Sequence, residues 1–379
     1  MKVTVLGSGL VGAPMALDLA KEKKFKVTVV DIDDAALARL KRIPQITVIR
    51  EDLSEAKAVR NIIKDSDLVI SAVPGFMGYR TLQTVLEAKK NVVDIAFFPE
   101  DPFALDGLAR RKGVIAIVDC GVAPGMSSIL AANALRHLDK GQSISIYVGG
   151  LPQVREWPYE YKAVFSPYDV IEEYLRPARY VENGRMVVRP ALSDPEYLNF
   201  PGIGTLEAFN TDGLRTLART LKVPNMKEKT LRYPGHIEKM TVLRETGFFD
   251  SQEVEIQGVK IRPIDFTAKI LFPKWKLAKG EADITVMKII VEGKKKGQNI
   301  RIIYNLLDSY DKVSGIHSMA RTTGYTATMA ARMIAQGLYT RKGISAPEYV
   351  GQNPKCVEFI LQGLRRRTVI YRGSIESIE

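Results

Sequence analysis

The chain has 379 residues, 46% of them hydrophobic and 26% charged. That length suits two domains, each able to bury its own core, and no run approaches the ~18 apolar residues of a membrane helix. The formal net charge of +12 is scattered through short runs (Lys21, Lys23 and Lys24 broken by Glu22; Lys294–Lys296; Arg365–Arg367) without interleaved aromatics. A solvated basic surface is therefore expected, with no nucleic-acid and no membrane partner.

The chain opens MKVTVLGSGLVGAP, a lysine followed by apolar residues, but three glycines and then Asp18 interrupt the stretch. A buried strand turning through a glycine-rich loop fits better than a signal peptide, so a cytoplasmic protein is expected. Val11, Met15 and Leu19 then recur four apart on one helix face, with Pro14 in the first turn. FKVTVVD reads as a second strand, followed by ITVI (46–49), DLVISAV (67–73), NVVDIA (91–96) and VIAIVD (114–119). Helical spacing at Asp33–Arg42 and Tyr79–Lys89 lies between them. Strands alternating with helices imply an α/β, doubly wound parallel-sheet Rossmann domain.

After DCGVAPGMS (119–127) a helix is expected from Ser127 to His137. From Gln142 the pattern changes to longer strands: ISIYVGG, ITVMKIIVEG and NIRIIYNLL, the last two joined by GKKKGQ, a hairpin signal. Helices are expected near Pro167–Tyr174 and Lys239–Glu245. This is read as a second α+β domain containing a mixed or antiparallel sheet. Ser318–Leu338 is helix-like, rich in small residues, and suited to packing back on the first domain. The expected division is 1–125 plus 318–379 for the nucleotide domain and 126–317 for the substrate domain.

Gly7-Ser8-Gly9-Leu10-Val11-Gly12 is GxGxxG, placed where the first strand meets the first helix. Gly7 permits the turn, Gly9 lets the backbone approach a pyrophosphate, and Gly12 lets helix and strand pack, with Leu10 and Val11 between them. Asp31 ends the second strand, nineteen residues beyond Gly12. A carboxylate there accepts from the ribose hydroxyls and repels a 2′-phosphate, for which an Arg nearby would be the sign; Asp33 and Asp34 add negative charge instead, so NAD is the expected cofactor, and a helix cap or turn is the other reading of Asp31. Asp52, after the third strand, suits the adenine amino group or a plain loop. Ala72, Val73 and Pro74 end the fourth strand at the ligand edge, or simply form a Pro-Gly turn. Two cysteines, Cys120 and Cys356, and three unpaired histidines give no metal-ligand pattern, so no metal is expected.

DCGVAPG, YVGGLP (147–152), LEAF (206–209), RYPGHIEK (232–239) and SMARTTG (318–324), with the opening fingerprint, resemble the saccharopine dehydrogenase family, most of all its lysine 6-dehydrogenase branch. The resemblance spans most of the chain; DCGVAPG and YPGHIEK are its more specific segments. It implies an amino-acid dehydrogenase acting at a C–N bond: NAD-dependent oxidation of the side-chain amine of L-lysine to an imine, hydrolysis with release of ammonia, and cyclisation of the semialdehyde. Saccharopine dehydrogenase chemistry on a secondary amine is the alternative, and a homodimer is expected.

Oxidising an amine needs a base and a neutral nitrogen near the nicotinamide. Asp119, at the end of a sheet strand, could orient the amine or activate water, or cap the turn. His236 is the histidine placed for proton transfer, against a structural role. Arg215 and Arg232 are candidates for an α-carboxylate, and Glu207 and Thr211 for an ammonium group, each with a surface, capping or ion-pair role as alternative. Tyr161 and Lys162 follow a turn at Pro158, with Lys162 a candidate acid–base group. A nucleotide-sensing regulatory module would also use GxGxxG and a terminal acid, but about two-thirds of this chain lies beyond the nucleotide-binding part.

Overall fold

In a computed structural model, which describes residues 1–278 and 280–378, the chain divides into two compact units. Unit 1 comprises residues 1–137 and 319–371; unit 2 comprises 138–318 and 372–379.

Unit 1 contains β1 (Lys2–Leu6), β2 (Lys26–Asp31), β3 (Ile46–Arg50), β4 (Leu68–Ser71), β5 (Asn91–Asp94) and β6 (Ile115–Ile117). They form a parallel sheet in the order β6-β5-β4-β1-β2-β3, with a short strand Gly343–Ser345 added beside β6. Val5, Leu6, Val29, Val30, Val69, Ile70, Val92 and Val93 are fully buried. Helices cover both faces of such a sheet, so its strands read as apolar runs rather than alternating ones. Strand order reverses at β1, between β2 and β4, and the glycine-rich loop leaves the sheet there. Ligands of doubly wound sheets bind at this switch point.

The helix Gly12–Ala20, here called the cofactor helix, buries Met15, Ala16 and Leu19. The helix Ser318–Ala335 packs on it: a Cβ built on Gly324 would lie 3.1 Å from Met15 Cγ and 3.5 Å from Val11. The boundary expected at 125 falls instead after His137. Helix Met126–Leu135 is buried on nearly every side and packs on helices Pro347–Gly351 and Pro354–Arg365, so it belongs to unit 1. A Cβ on Gly351 would overlap the Ile129 carbonyl, which shows how close that packing is. The chain end is also reassigned, because Tyr371–Ile378 adds a strand to the sheet of unit 2.

Unit 2 is built on a nine-stranded sheet. Its main path runs Glu196–Phe200, Gly204–Asn210, Asn225–Arg232, Lys140–Pro152, Asp283–Lys295, Gln298–Ser309 and Tyr371–Ile378. Asn225–Arg232 and Lys140–Pro152 pair in parallel and their neighbours antiparallel, so the sheet is mixed. The expected hairpin closes at Lys295↔Gln298, where Lys296 and Gly297 both adopt positive φ (50° and 80°), the signature of a type I′ turn. Helices Pro167–Leu175, His236–Glu245 and Pro263–Trp275 contribute to an aromatic core holding Tyr161, Tyr174, Phe209, Phe249 and Trp275.

In the DCGVAPG turn, Met126 N–H and Ser127 N–H donate to the Gly121 and Val122 carbonyls. Gly125 has φ 134°, and a Cβ there would overlap Gly121. Gly125→Ala should cost about 3 kcal/mol, combining backbone strain with overpacking. Gly184→Ala, at φ 77° with open space around it, should cost about 1 kcal/mol. Chemical denaturation of both variants checks this; equal losses would show that close packing at the turn is not what demands Gly125.

Candidate active site

The nucleotide loop is shaped by what it excludes. Gly7 (φ 99°) donates its N–H to the Val30 carbonyl, and a Cβ on it would lie 2.5 Å from the Ala72 carbonyl oxygen. A Cβ on Gly12 would overlap the Gly7 carbonyl. Gly9, in contrast, is exposed and has nothing within 4 Å of where a Cβ would be. Beside it the Ser8 hydroxyl is buried with no hydrogen-bond partner, and Leu10 is half exposed. An open approach at Gly9, an unsatisfied hydroxyl and a helix N-terminus together fit a pyrophosphate.

Asp31 stands at the end of β2, where one carboxylate oxygen accepts from Ser8 N–H (2.6 Å) and the other from Asp33 N–H (2.9 Å). The capping role is taken by Asp33, which accepts from Ala35 N–H at the start of the next helix. Arg50, in register with Asp31 on β3, escaped sequence reasoning because nineteen residues separate them. Its Nε donates to the Ile32 carbonyl (3.2 Å) and pairs with Asp34 (3.1 Å). Asp52 is exposed and accepts from Ser54 N–H (2.8 Å), and the Ser54 donors hold its carboxyl below the usual range. Ala72 and Val73 line the turn against Gly7, and Pro74 caps the helix Gly75–Glu87.

Asp119 lies two residues past β6, on the carboxyl edge of the same sheet. It is buried and has φ 50°. Cys120, next to it, donates its N–H to the Asp94 carbonyl. Burial, with Asp119 and Asp94 adding to it, pushes the Cys120 thiol up to about 12, which keeps it an inert thiol. A separate cavity of about 320 Å³ lies at the far end of the cofactor helix, lined by Lys24, Arg332, Arg366 and Arg367. Three helices end there, and their negative dipole ends account for basic residues at that position.

In unit 2 the structure brings His236, Tyr161 and Arg232 into one buried box. His236 is the first residue of its helix; its Nδ1 meets the Tyr159 carbonyl at 2.9 Å and its Nε2 the Tyr174 hydroxyl at 2.9 Å. A carbonyl can only accept, so Nδ1 carries the proton and Nε2 accepts from Tyr174. Burial first, and Arg232 second, lower the His236 pKa to about 3. The neutral imidazole therefore has both nitrogens engaged, which corrects the expectation of a proton carrier titrating near neutrality.

Arg232, 2% exposed, pairs with Glu173 (2.8 Å) and stacks over the Tyr161 ring at 4.5 Å. Burial works against its charge, but Tyr161, Tyr174 and Glu173 outweigh it. Burial also raises the Glu173 carboxyl, against the pull of Arg232. The Tyr161 hydroxyl, the Arg232 Nε and the Trp275 Nε1 are buried without hydrogen-bond partners. Glu173, Tyr174 and Trp275 were not singled out from sequence. A helical-face signal existed for two of them, since Val170, Ile171 and Tyr174 form the buried stripe of Pro167–Leu175 and Glu173 lies three residues from Val170.

Glu207 faces Arg232 across the strands and accepts from Gly235 N–H (3.0 Å), so it braces the turn that delivers His236. Lys162 follows Tyr161 but pairs with Glu156 (3.0 Å) and lies 3.7 Å from Glu281. Thr211 and Arg215 sit on a different loop: the Thr211 hydroxyl meets that of Thr230 at 2.9 Å, and Arg215 is buried at φ 50°. Asp212 on that loop holds Arg179 bidentately at 2.8 and 2.7 Å.

The description "Saccharopine dehydrogenase NADP binding domain" matches residues 3–117, and "Saccharopine dehydrogenase C-terminal domain" matches residues 121–370. The chain belongs to the saccharopine dehydrogenase family. As a member it is a pyridine-nucleotide oxidoreductase of amino-acid-related substrates, acting at a C–N bond. It is 25% identical over 399 residues to the carboxyaminopropylagmatine dehydrogenase of Synechocystis, covering 97% of this chain and 98% of that one. The mitochondrial alpha-aminoadipic semialdehyde synthase of Bos taurus is 23% identical over 91% of this chain, which spans only 45% of that longer protein. The apo saccharopine dehydrogenase (L-Glu forming) of Saccharomyces cerevisiae shares the fold, with a TM-score of 0.80, 19% identity and 99% of both chains covered. Among the described residues no helix is long and apolar enough to cross a membrane.

The His236 assignment is testable by titration. Its folded pKa of about 3 lies below the ordinary value of 6.5, so the unfolded chain binds more protons between those limits. This residue's contribution to folding stability should therefore fall as the pH drops from about 6.5 towards 3, and stay constant above that window. Nitrogen-15 NMR of the imidazole should show a neutral Nδ1–H tautomer down to pH 5; a midpoint near 6.5 would contradict the assignment.

Proposed function

We propose that this family member is an NAD-dependent dehydrogenase that oxidises the side-chain amine of L-lysine to a semialdehyde, which cyclises. The observation that carries the cofactor half is the Asp31 carboxylate at the end of β2, held by Ser8 and Asp33 N–H groups, with the adjacent Arg50 turned onto Ile32 and Asp34. A 2′-phosphate would meet the negative charges of Asp31, Asp33 and Asp34. The lysine half is supported by the DCGVAPG and YPGHIEK segments and by the box that the second of them builds.

Bound NAD would supply the hydride acceptor. The chain must present the amine uncharged, take up its nitrogen proton, and admit one water to release ammonia from the imine. Asp119, at the carboxyl edge of the sheet that carries the nucleotide loop, is the residue proposed to accept that proton and orient the water. Arg215 and Arg232 are the arginines proposed for the α-carboxylate, Arg232 with its guanidinium already held by Glu173. Glu207 and Thr211 are proposed on the ammonium side. His236 is proposed to position Tyr174 and the Tyr159 backbone rather than to carry protons, and Lys162 is given no step.

A second reading is favoured by the names of the full-length relative and the structural neighbour, a carboxyaminopropylagmatine and a saccharopine dehydrogenase. In it the substrate is a secondary amine joining two amino-acid-like parts. Incubation with NAD and either L-lysine or saccharopine, followed by NADH absorbance, separates the two. Turnover with lysine is expected; turnover with saccharopine alone would move the assignment to the second reading. NADH from none of a panel of amines, with NAD still bound, would instead favour a nucleotide sensor. With the active substrate, Asp119→Asn should lower kcat about 100-fold while NAD binding persists.

A further inference from the structure

The cofactor helix carries a charged residue on its buried side. Asp18, 1% exposed, lies on the face that Val11, Met15 and Leu19 define, near the helix C-terminus. Its carboxylate accepts from Arg332 Nη1 (2.7 Å), Arg367 Nε (2.7 Å) and the Thr328 hydroxyl (2.6 Å), and its backbone carbonyl accepts from Arg332 Nη2 (2.9 Å). Arg332 Nε continues to Glu22 at 2.5 Å. Burial opposes the Asp18 charge, but Arg332 and Arg367 hold its carboxyl below the usual range.

Apolar side chains would hold three helices together at least as well, because desolvating such ions offsets most of their attraction. Planar guanidinium forks add geometry: they admit one placement of the carboxylate along the helix axis. The opposite end of that helix has no slack, since Gly12 already abuts the Gly7 carbonyl. A nine-residue helix is about 13 Å of stiff rod, so displacement at one end reaches the other.

We propose that Asp18 is a positioning residue for the pyridine nucleotide: clamped by Arg332 and Arg367, it fixes the axial register of the cofactor helix and thereby the N–H groups that meet the pyrophosphate. The C-terminal segment that supplies both arginines is thus part of the nucleotide site without touching the ligand. The proposal rests on the Gly7–Gly12 loop being that site.

The test measures NADH binding by fluorescence energy transfer from protein aromatics, in the full chain and in Asp18→Asn, which keeps size and one acceptor but loses the charge. The Kd for NADH should rise about tenfold, and the KM for NAD with it, while kcat and the amine KM stay within twofold. An unchanged NADH Kd in a variant that only melts earlier would overturn the proposal. Should Asp18→Asn not fold, Arg332→Lys, which keeps the charge but loses the fork, takes its place with the same criterion. No NADH binding by the unaltered chain would instead refute the nucleotide-site reading on which the proposal stands.

Discussion

The contact on which unit 1 depends is between three backbone segments that leave no space for a methyl group. Gly7 lies against the end of β4 at Ala72, and Gly12 lies against Gly7. This draws the N-terminus of the cofactor helix onto the switch point of the sheet, with its free N–H groups beside the open position at Gly9. Any side chain at Gly7 or Gly12 would push the helix away and widen the loop. From that one constraint follow the anion-binding geometry of the loop and the nearness of Asp31, whose carboxylate takes the Ser8 N–H of the same turn.

The polar box of unit 2 obeys a different economy. Arg232 and Glu173 are an ion pair set among aromatic rings, and His236 is kept neutral by the same burial and by the arginine beside it. A protonated imidazole next to a buried guanidinium would be two like charges in a medium of low polarity, so the proton stays off Nε2, which accepts from Tyr174 instead. The arrangement therefore holds shape across physiological pH. It presents aromatic faces and unsatisfied donors rather than a titrating base, in keeping with the proposal of Asp119 as the proton acceptor.

Unit 1 was largely legible in sequence because a parallel sheet covered on both faces writes its strands as apolar runs, and because the GxGxxG turn needs glycine for steric reasons that any such loop shares. The hairpin at Lys296-Gly297 was legible for a similar reason, its turn requiring two positive φ angles. The strand Gly343–Ser345 was not, since three residues carry no periodicity. Nor was the assignment of helix Met126–Leu135, which is buried on nearly every side and gives no direction to its partner. At the sites, Asp31 could be read from spacing alone, whereas Arg50, Glu173 and Trp275 reach their neighbours only through pairing across the fold. Asp18 was readable in principle, as an acid on an apolar helix face, but its partners stand more than 300 residues away.

At stake is the proposal that the loop from Gly7 to Gly12 and the Asp31 carboxylate form a nucleotide site that prefers a free ribose 2′-hydroxyl. It is tested most directly by titrating the unaltered protein with NADH and with NADPH under identical salt and comparing the two dissociation constants. NADH should bind at least about 100-fold more tightly, because the 2′-phosphate of NADPH would be forced beside the Asp31 carboxylate. Equal affinities, or tighter binding of NADPH, would contradict it.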